Sequence, residues 1–346
     1  MKRNLKVGIE VGVTIKDIAK IANVSHTTVS RALNNSPLIK ENTKQKIIQI
    51  ANQLNYSPDV HARSLVLQKS YTIGLFFTSI SNGTSSSFLS ETIKGVNTVI
   101  NENYNLFIKG IQDIKDYSMI TPKRFDGIIL MSQSDIDNAF IYHVIEKKIP
   151  LVVLNRQIEE RSVVNVLSND QEGVYEAIQL FIKHGHRDIA IIEGTPHFKS
   201  AQERKEGYLK ALMEYQLPIL SEYMVKGNYN MESGYEGMKK LLSLDNYPTA
   251  VFCSNDDMAI GAMKAINEYG LMIPEDISII GFDDIGFSEY TSPALTTVKR
   301  PIEEISIAGA EKLLQVMDAG NEEDGPIFLT TNLVRRHSVS DVKCNS

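Results

Sequence analysis

No tryptophan occurs in this chain of 346 residues, and there are only two cysteines, Cys253 and Cys344. Cys253 lies in an apolar, strand-like run and Cys344 in a polar tail, so a disulfide framework is not expected. No stretch of about 18 consecutive apolar residues is present, which excludes a transmembrane helix. Residues 1–12 hold Lys2, Arg3 and Lys6 but no apolar run long enough for a signal peptide. The expected location is therefore the cytoplasm. The common catalytic motifs are missing too: no P-loop, no G-x-S-x-G, no H-E-x-x-H and no clustered Cys and His. No catalytic residue, no metal and no cofactor is expected.

What remains is an ordinary globular composition, 42% hydrophobic and 23% charged. The length fits a small module plus a large α/β module. A net charge of −6 argues against nucleic acid, but the charge is unevenly spread. Residues 1–69 carry eleven Lys and Arg against four acids, a balance of +7, which leaves −13 for the rest. A basic head on an acidic body is what a polyanion-binding module joined to a soluble sensor requires.

The head reads as three short helices. Thr14 is placed to cap the first, with Asp17 three residues on, and Ile15, Ile18 and Ala22 share one face. Asn23-Val24 makes a turn. Ser25 caps a second helix, His26 to Leu33, with Val29 and Ala32 or Leu33 inward. A third runs from about Lys40 to Leu54, with Ile47, Ile50, Ala51 and Leu54 inward. Two short helices with a tight turn, braced by a third, make a helix-turn-helix. The second helix exposes His26, Thr27, Thr28, Ser30 and Arg31. Hydroxyls suit phosphates, and arginine most often reads guanine.

The stretch VTIKDIAKIANVSHTTVSRALNN resembles the headpiece of the LacI/GalR repressor family, matching its signature from Thr14 through Asp17, Val24, Ser25, Thr28, Ser30 and Arg31 to Asn34. The resemblance implies that His26 and Thr27 choose the operator sequence and that Arg31 contacts a base. It implies that Thr14, Thr28, Ser30 and Asn34 hold phosphates, with Ser25 and Tyr56 also in the DNA-binding set. Residues 54–65, LNYSPDVHARSL, are similar to the family's hinge. That similarity implies a helix at 58–70 that forms on DNA, pairs with its dimer mate and wedges Leu65 into the minor groove. Asp59 departs from the usual Asn, and Val66 follows the wedge. Residues 1–12 precede the family's usual start and are expected to be an unstructured extension.

From Tyr71 the pattern changes. Apolar runs at 71–77, 105–108, 127–131, 151–154, 189–192, 250–253 and 277–282 alternate with helical patterns near 86–102, 136–147, 170–184, 200–215, 231–244 and 256–269. That alternation implies parallel sheets with crossover helices. About 270 residues suffice for two α/β subdomains, with ligands bound beyond the carboxyl ends of the strands.

The runs KHGHRDIAII (183–192), SNDDMAIGA (254–262), IPEDISIIGFDD (273–284) and SPALTTV (292–298) resemble the same family's core, whose fold is that of periplasmic sugar-binding proteins. The expected organisation is a headpiece over 13–57, a hinge and linker over 58–70, an effector-binding and dimerisation domain over 71–339, and a tail over 340–346. Its two subdomains are expected at about 71–165 plus 299–325 and 166–298 plus 326–339. The resemblance carries effector contacts onto Arg204, Asn255 and Asp283, onto Asn155, where relatives often have Asp, and onto Tyr229, suited to cover an apolar sugar face.

The first core loop, residues 78–88 (TSISNGTSSSF), lacks the acid and proline of relatives. It carries hydroxyls before a helix, Ser81 and Thr84 among them, which suits an anion. A phosphorylated or acidic sugar is one reading of it, and a plain loop the other. The whole then implies a homodimeric repressor of a carbohydrate-utilisation operon, bound to palindromic double-stranded DNA and controlled by a sugar or sugar phosphate. No tetramerising heptads follow Arg336. The competing readings are control by a protein partner, a nucleobase corepressor or, less well matched, a solute-binding protein.

Overall fold

In a computed structural model, residues 13–33, 36–54, 56, 69–81, 83–320 and 325–342 are described. The chain divides into two units, Met1–Gln68 and Lys69–Ser346.

The first unit contains α1 (Ile15–Ala22), α2 (His26–Leu33) and α3 (Glu41–Gln53). The Thr14 N–H and hydroxyl both donate to the Asp17 carboxylate, at 2.9 and 2.6 Å, which fixes the entry to α1. Asn23 ends α1 in the left-handed region at φ 56, a conformation asparagine tolerates, and so turns the chain into α2. Ser25 caps α2 by accepting from the Thr28 N–H at 3.1 Å. Ile18, Ala19, Ala22, Val29, Ala32, Ile47, Ile50 and Ala51 close a core between the three helices. The alanines matter because they let the helix backbones approach. Ile15, Leu33, Leu54 and Tyr56 cover its edge half-buried.

The second unit holds two six-stranded sheets among the described residues. The first contains β1 (Thr72–Phe77), β2 (Asn105–Gly110), β3 (Gly127–Met131), β4 (Leu151–Leu154) and β5 (Val164–Ser168). Ile327–Leu329, the eleventh strand in chain order, joins it beside β5, and all the pairings are parallel. Two helices of this half are α4 (Ser86–Ile100) and α5 (Asn138–Glu146), and a third comes from later in the chain. Then follow α6 (Asp170–Lys183), β6 (Ile189–Glu193), α7 (Lys199–Glu214), β7 (Met224–Lys226), α8 (Met231–Leu242), β8 (Ala250–Cys253), α9 (Asp256–Glu268), β9 (Ser278–Asp283) and β10 (Thr296–Lys299). After β10 come α10 (Ile302–Ala319), the strand β11 already described, and β12 (Asn332–Val334). The second sheet runs β12-β10-β9-β8-β6-β7, with β12 antiparallel to β10.

Both sheets are covered on both faces, and strand alternation sorts the side chains. Ile73, Leu75 and Phe77 of β1 pack under α4 and α10, while Phe76 packs with Phe140, Ile141 and Val144 of α5. In the second sheet Val251 and Cys253 face α8 and α9, whereas Ala250 and Phe252 face α6 and α7. Burial on both faces is why these strands read as near-continuous apolar runs.

The switch points differ from expectation. β5 stays in the first sheet through Ser168, and Ile327–Leu329 belongs there as well, so the chain changes sheets near 169 and 330 rather than 165 and 326. A three-residue strand has too little periodicity to assign it to a sheet. Residues 340–342 are also no free tail: Ser340 N–H donates to Ser278 Oγ at 3.1 Å and Val342 N–H to the His184 carbonyl at 2.9 Å. His186, buried, makes contacts to Thr249, Ser278 and Ser340, the role of a structural clamp.

Candidate DNA interface and effector cavity

On α2 the inward positions are Val29 and Ala32, and the helix turns His26, Thr27 and Arg31 to solvent with Thr28 and Ser30 half-buried. This outward set is short, polar and basic, as contact with phosphates and base edges demands. Ser25 is exposed, and its hydroxyl is shared with the helix end: it accepts from Thr28 N–H and pairs with Thr28 Oγ1 at 2.9 Å. The Thr14 hydroxyl donates to Asp17, which leaves its lone pairs as acceptors. Tyr56 packs half-buried against the three-helix core, with its N–H on the Ala51 carbonyl at 2.9 Å. Asn34, Asp59, Leu65, Val66, the extension over 1–12 and the proposed hinge helix lie outside the described residues.

In the second unit a cavity opens where strand ends of both sheets meet. Gln133 follows β3 and Asn155 follows β4, while Asn255 follows β8 and Asp283 ends β9. Gly83, Thr84 and Ser85 reach it from the first loop, with Phe88 in the first turn of α4. Asn155, Arg204, Tyr229, Asn255, Asp283 and Thr84 are thus brought together. Ser81 is not: it is exposed and outside the lining.

Sequence reasoning missed the residue that organises this site. Asp170, fully buried at the start of α6, accepts from Arg204 Nε at 3.0 Å and stands 3.2 Å from Arg300 Nε. Burial alone would raise its pKa, but Arg300 and Arg204, with hydrogen bonds from Ser168 and Arg204, outweigh burial and hold the carboxyl below its ordinary value. Arg204 also donates to the Ser254 carbonyl, lies 3.8 Å over the Phe282 ring and comes within 3.4 Å of Asp283. Burial pushes the Asp283 carboxyl up to about 6, with Arg204 and Arg300 opposing it. Arg300 donates to Ser168 Oγ at 2.8 Å and to the Asn155 amide oxygen.

The sequence did hold a signal. Ser168-Asn169-Asp170 and Ser254-Asn255-Asp256 are the same tripeptide at equivalent strand-to-helix junctions of the two sheets. In the second copy Asp256 is the buried anchor, accepting from Thr297, Ser288 and the Ile285 N–H. Arg300 follows directly on β10, at the return to the first sheet.

The remaining polar groups are already oriented. Asn255 caps α9 through Met258 N–H at 3.0 Å and gives an amide hydrogen to the Tyr229 carbonyl at 3.1 Å. The Tyr229 hydroxyl is 3.1 Å from Ser200 Oγ, and its ring stacks with Phe198, centroids 6.3 Å apart. Asn155, at φ 73°, takes a conformation asparagine tolerates, while Tyr229 and Asp283, at 56° and 104°, hold strained backbone beside the cavity. The lining is therefore a set of fixed donors and acceptors with one flat aromatic wall, the chemistry that binds a polyol.

Two buried carboxyls, Asp283 and Asp256, and two half-buried ones, Glu91 and Glu203, hold protons unusually well. Asp283 is pushed up to about 6 and Asp256, Glu91 and Glu203 to about 7, in each case chiefly by burial. An acid whose folded pKa exceeds its unfolded one destabilises the fold as pH rises between the two values. His186, lowered by burial, acts in the opposite sense below about 6.5, one group against four. The midpoint of thermal unfolding of the core unit should therefore fall as pH is raised from 5.5 to 7.5. A rising midpoint over that range would contradict these ionisation states.

A recognition helix module joined to an α/β unit with a ligand cavity between two sheets defines a class, the ligand-responsive DNA-binding regulators. Comparison with known proteins agrees. Residues 14–59 match the model for "Bacterial regulatory proteins, lacI family" and residues 178–339 the "Periplasmic binding protein-like domain". The chain is 64% identical over 327 residues to a Bacillus subtilis (strain 168) protein named "Probable HTH-type transcriptional repressor ExuR", covering 94% of this chain and 98% of that one. Among solved structures it resembles the lac repressor dimer bound to operator and the anti-inducer ONPF, with TM-score 0.84, 25% identity, and 95% and 99% of the two chains covered. It also resembles a LacI family regulator from Enterococcus faecium with bound ribose, with TM-score 0.70, 27% identity, and 79% and 100% covered. The chain belongs to the lacI family of bacterial transcriptional regulators, and is a DNA-binding regulator rather than an enzyme.

Proposed function

We propose that this regulator represses a carbohydrate-utilisation operon in the cytoplasm, binding a palindromic operator as a homodimer, and that a small sugar or sugar derivative in the cavity sets its affinity for DNA. The observation that carries this reading is the cavity itself: its polar lining is drawn from strand ends of both sheets, so an occupant touching both favours one pose of the two subdomains over another. A ligand changes a conformational equilibrium only by binding its states unequally, and a site shared between two bodies meets that condition. The lining, fixed donors and acceptors beside a flat aromatic wall, suits a small polyol. The ribose in the Enterococcus relative supports the same class of ligand. Support for a homodimer comes from the dimeric lac repressor and from Phe287 and Tyr290, 67% and 79% exposed on the core unit.

In this reading Arg31, His26 and Thr27 read bases, Thr14, Ser25, Thr28, Ser30 and Asn34 hold phosphates, and Leu65 enters the minor groove. Arg204, Asp283, Asn255 and Asn155 grip hydroxyls, and Tyr229 covers an apolar sugar face.

A thermal-shift screen with sugars, sugar acids, sugar phosphates and purines tests the proposal. A ligand at about 100 times its dissociation constant should stabilise the fold by about 2.7 kcal/mol. Asp283→Ala should weaken binding of the active compound at least tenfold without unfolding the unit, because Asp170 still neutralises Arg204. Stabilisation by a purine alone would replace the sugar reading with a nucleobase corepressor, and an unchanged dose-response in Asp283→Ala would remove Asp283 from the site.

A further inference from the structure

The chain passes between the two sheets after β5, after β10 and after β11, on the side of β5 and β11 in the first sheet and of β10 and β12 in the second. Another contact between the halves lies away from these crossings. The Lys199 N–H, at the start of α7, donates to the Gln133 carbonyl, after β3, at 2.8 Å. β3 is two strands from β5, and β6, which leads into α7, is three strands from β10. The bond therefore stands roughly 10–15 Å from the crossings. Beside it the Phe198 ring packs on Gly83 of the first loop: a Cβ at Gly83 would stand 2.8 Å from that ring and 3.0 Å from Thr195 Oγ1.

Each side of this contact is held by its own half. The Gln133 N–H donates to Thr78 Oγ1 at 2.9 Å and to the Asp137 carboxylate at 3.3 Å. That fully buried carboxylate also accepts from the Thr78 and Ser132 hydroxyls, at 2.6 and 2.7 Å. The Gln133 peptide is thereby fixed with its carbonyl turned to α7. Opposite it, the Thr195 hydroxyl donates to the Asn228 amide oxygen at 2.9 Å and the Phe198 N–H to the Thr195 carbonyl at 3.2 Å. The Phe198 ring stacks on Tyr229, which lines the cavity.

We propose that this contact is a latch: the Gln133–Lys199 hydrogen bond, with Phe198 seated on Gly83, keeps the two halves closed over the cavity, and breaking it frees them to turn about the crossing segments. Asp137 is a positioning residue, since it fixes the carbonyl that the latch uses. A rotation about the crossings moves the far side of the cleft most, so the latch parts before the buried Asp170–Arg300 pair is disturbed. One hydrogen bond between fixed groups changes an equilibrium roughly two- to tenfold, enough to tip two poses of similar energy without locking either. The consequence for DNA rests on the proposed coupling of subdomain pose to operator affinity.

Lys199 allows the latch to be cut without cutting the helix. It is the first residue of α7, where proline is favoured, and Phe198 before it, at φ −78° and ψ 134°, has the extended backbone that precedes proline. Lys199→Pro removes the donor, while Lys199→Ala removes the same charge and keeps the donor. Gly83→Ala presses a methyl on the Phe198 ring and tests the other contact separately.

Pulsed electron paramagnetic resonance on the full chain reads the cleft, with Cys344→Ser and spin labels at Ile136→Cys and Met213→Cys, exposed positions on the two halves. Cys253 is buried and stays unlabelled. The ratio of long to short separations should rise roughly two- to tenfold from Lys199→Ala to Lys199→Pro, and Gly83→Ala should raise it over the parent in the same direction. Equal distributions in Lys199→Ala and Lys199→Pro would overturn the latch, whatever Gly83→Ala does. Anisotropy titration of the same chains on a palindrome selected by the parent should show operator affinity shifting with the separation. A cleft that opens with no change in operator affinity would support the latch and overturn the coupling reading beneath it.

Discussion

Replacing Asp170 with alanine should lower the unfolding free energy of the core unit by roughly 3–5 kcal/mol. Asp170 is fully buried and is the carboxylate that Arg204 and Arg300 share. Taking two guanidinium groups out of water is costly, and the cost is offset only while a charge and good hydrogen-bond geometry compensate it. Without Asp170, Arg300 would keep neutral acceptors only, and Arg204 would keep Asp283 at 3.4 Å. Two like charges would then face each other in a buried site. Urea unfolding of the full chain, followed by a probe of the core unit, measures the effect. A loss below about 1 kcal/mol would mean that solvent reaches these arginines, and that the charge accounting of the cavity fails.

Arg31→Ala should remove sequence preference in DNA binding and leave the core unit unchanged. A bidentate contact to a base edge contributes about 1–3 kcal/mol of discrimination, and a homodimer on a palindrome makes it twice, so about 2–6 kcal/mol is at stake for the dimer. Arg31 is exposed on α2, and among the described residues its backbone carbonyl accepts from the Ser36 N–H, a bond alanine preserves. Alanine is also the better helix former, so α2 persists in the variant. Selection of a palindrome from randomised duplexes with the parent chain, then titration of both chains on it and on a scrambled duplex, gives the discrimination directly. Equal discrimination by both chains would remove Arg31 from base recognition.

The headpiece was legible because every local signal agreed there. Thr14 with Asp17, the left-handed Asn23, the Ser25 cap and the apolar spacing of Ile18, Ala22, Val29, Ile47 and Ile50 each specify the same three helices. The central strands were legible too, since burial on both faces leaves uninterrupted apolar runs. The edge strands were not. Met224–Lys226, Ile327–Leu329 and Asn332–Val334 are three residues each and only partly buried, so composition hardly distinguishes them from loop. At the cavity, Asn155, Arg204, Tyr229, Asn255 and Asp283 were reached through the family resemblance, position by position. Asp170 and Arg300 were not: the repeated Ser-Asn-Asp marks Asp170 as a junction residue, but what makes the pair significant is a contact across 130 residues of chain. An isolated aspartate at a helix start reads as a cap, and an arginine before proline reads as a surface charge. Only the fold brings them within 3.2 Å of each other.

The account stands or falls on coupling between the cavity and DNA. The most direct measurement is fluorescence anisotropy of the selected palindrome with the full chain, titrated in the absence and presence of the compound that stabilises it in the thermal-shift screen. The account predicts a change of operator affinity of at least tenfold, about 1.4 kcal/mol, for the parent chain, and none at the same ligand concentration for Asp283→Ala. A saturating ligand that leaves the parent's operator affinity unchanged would contradict it.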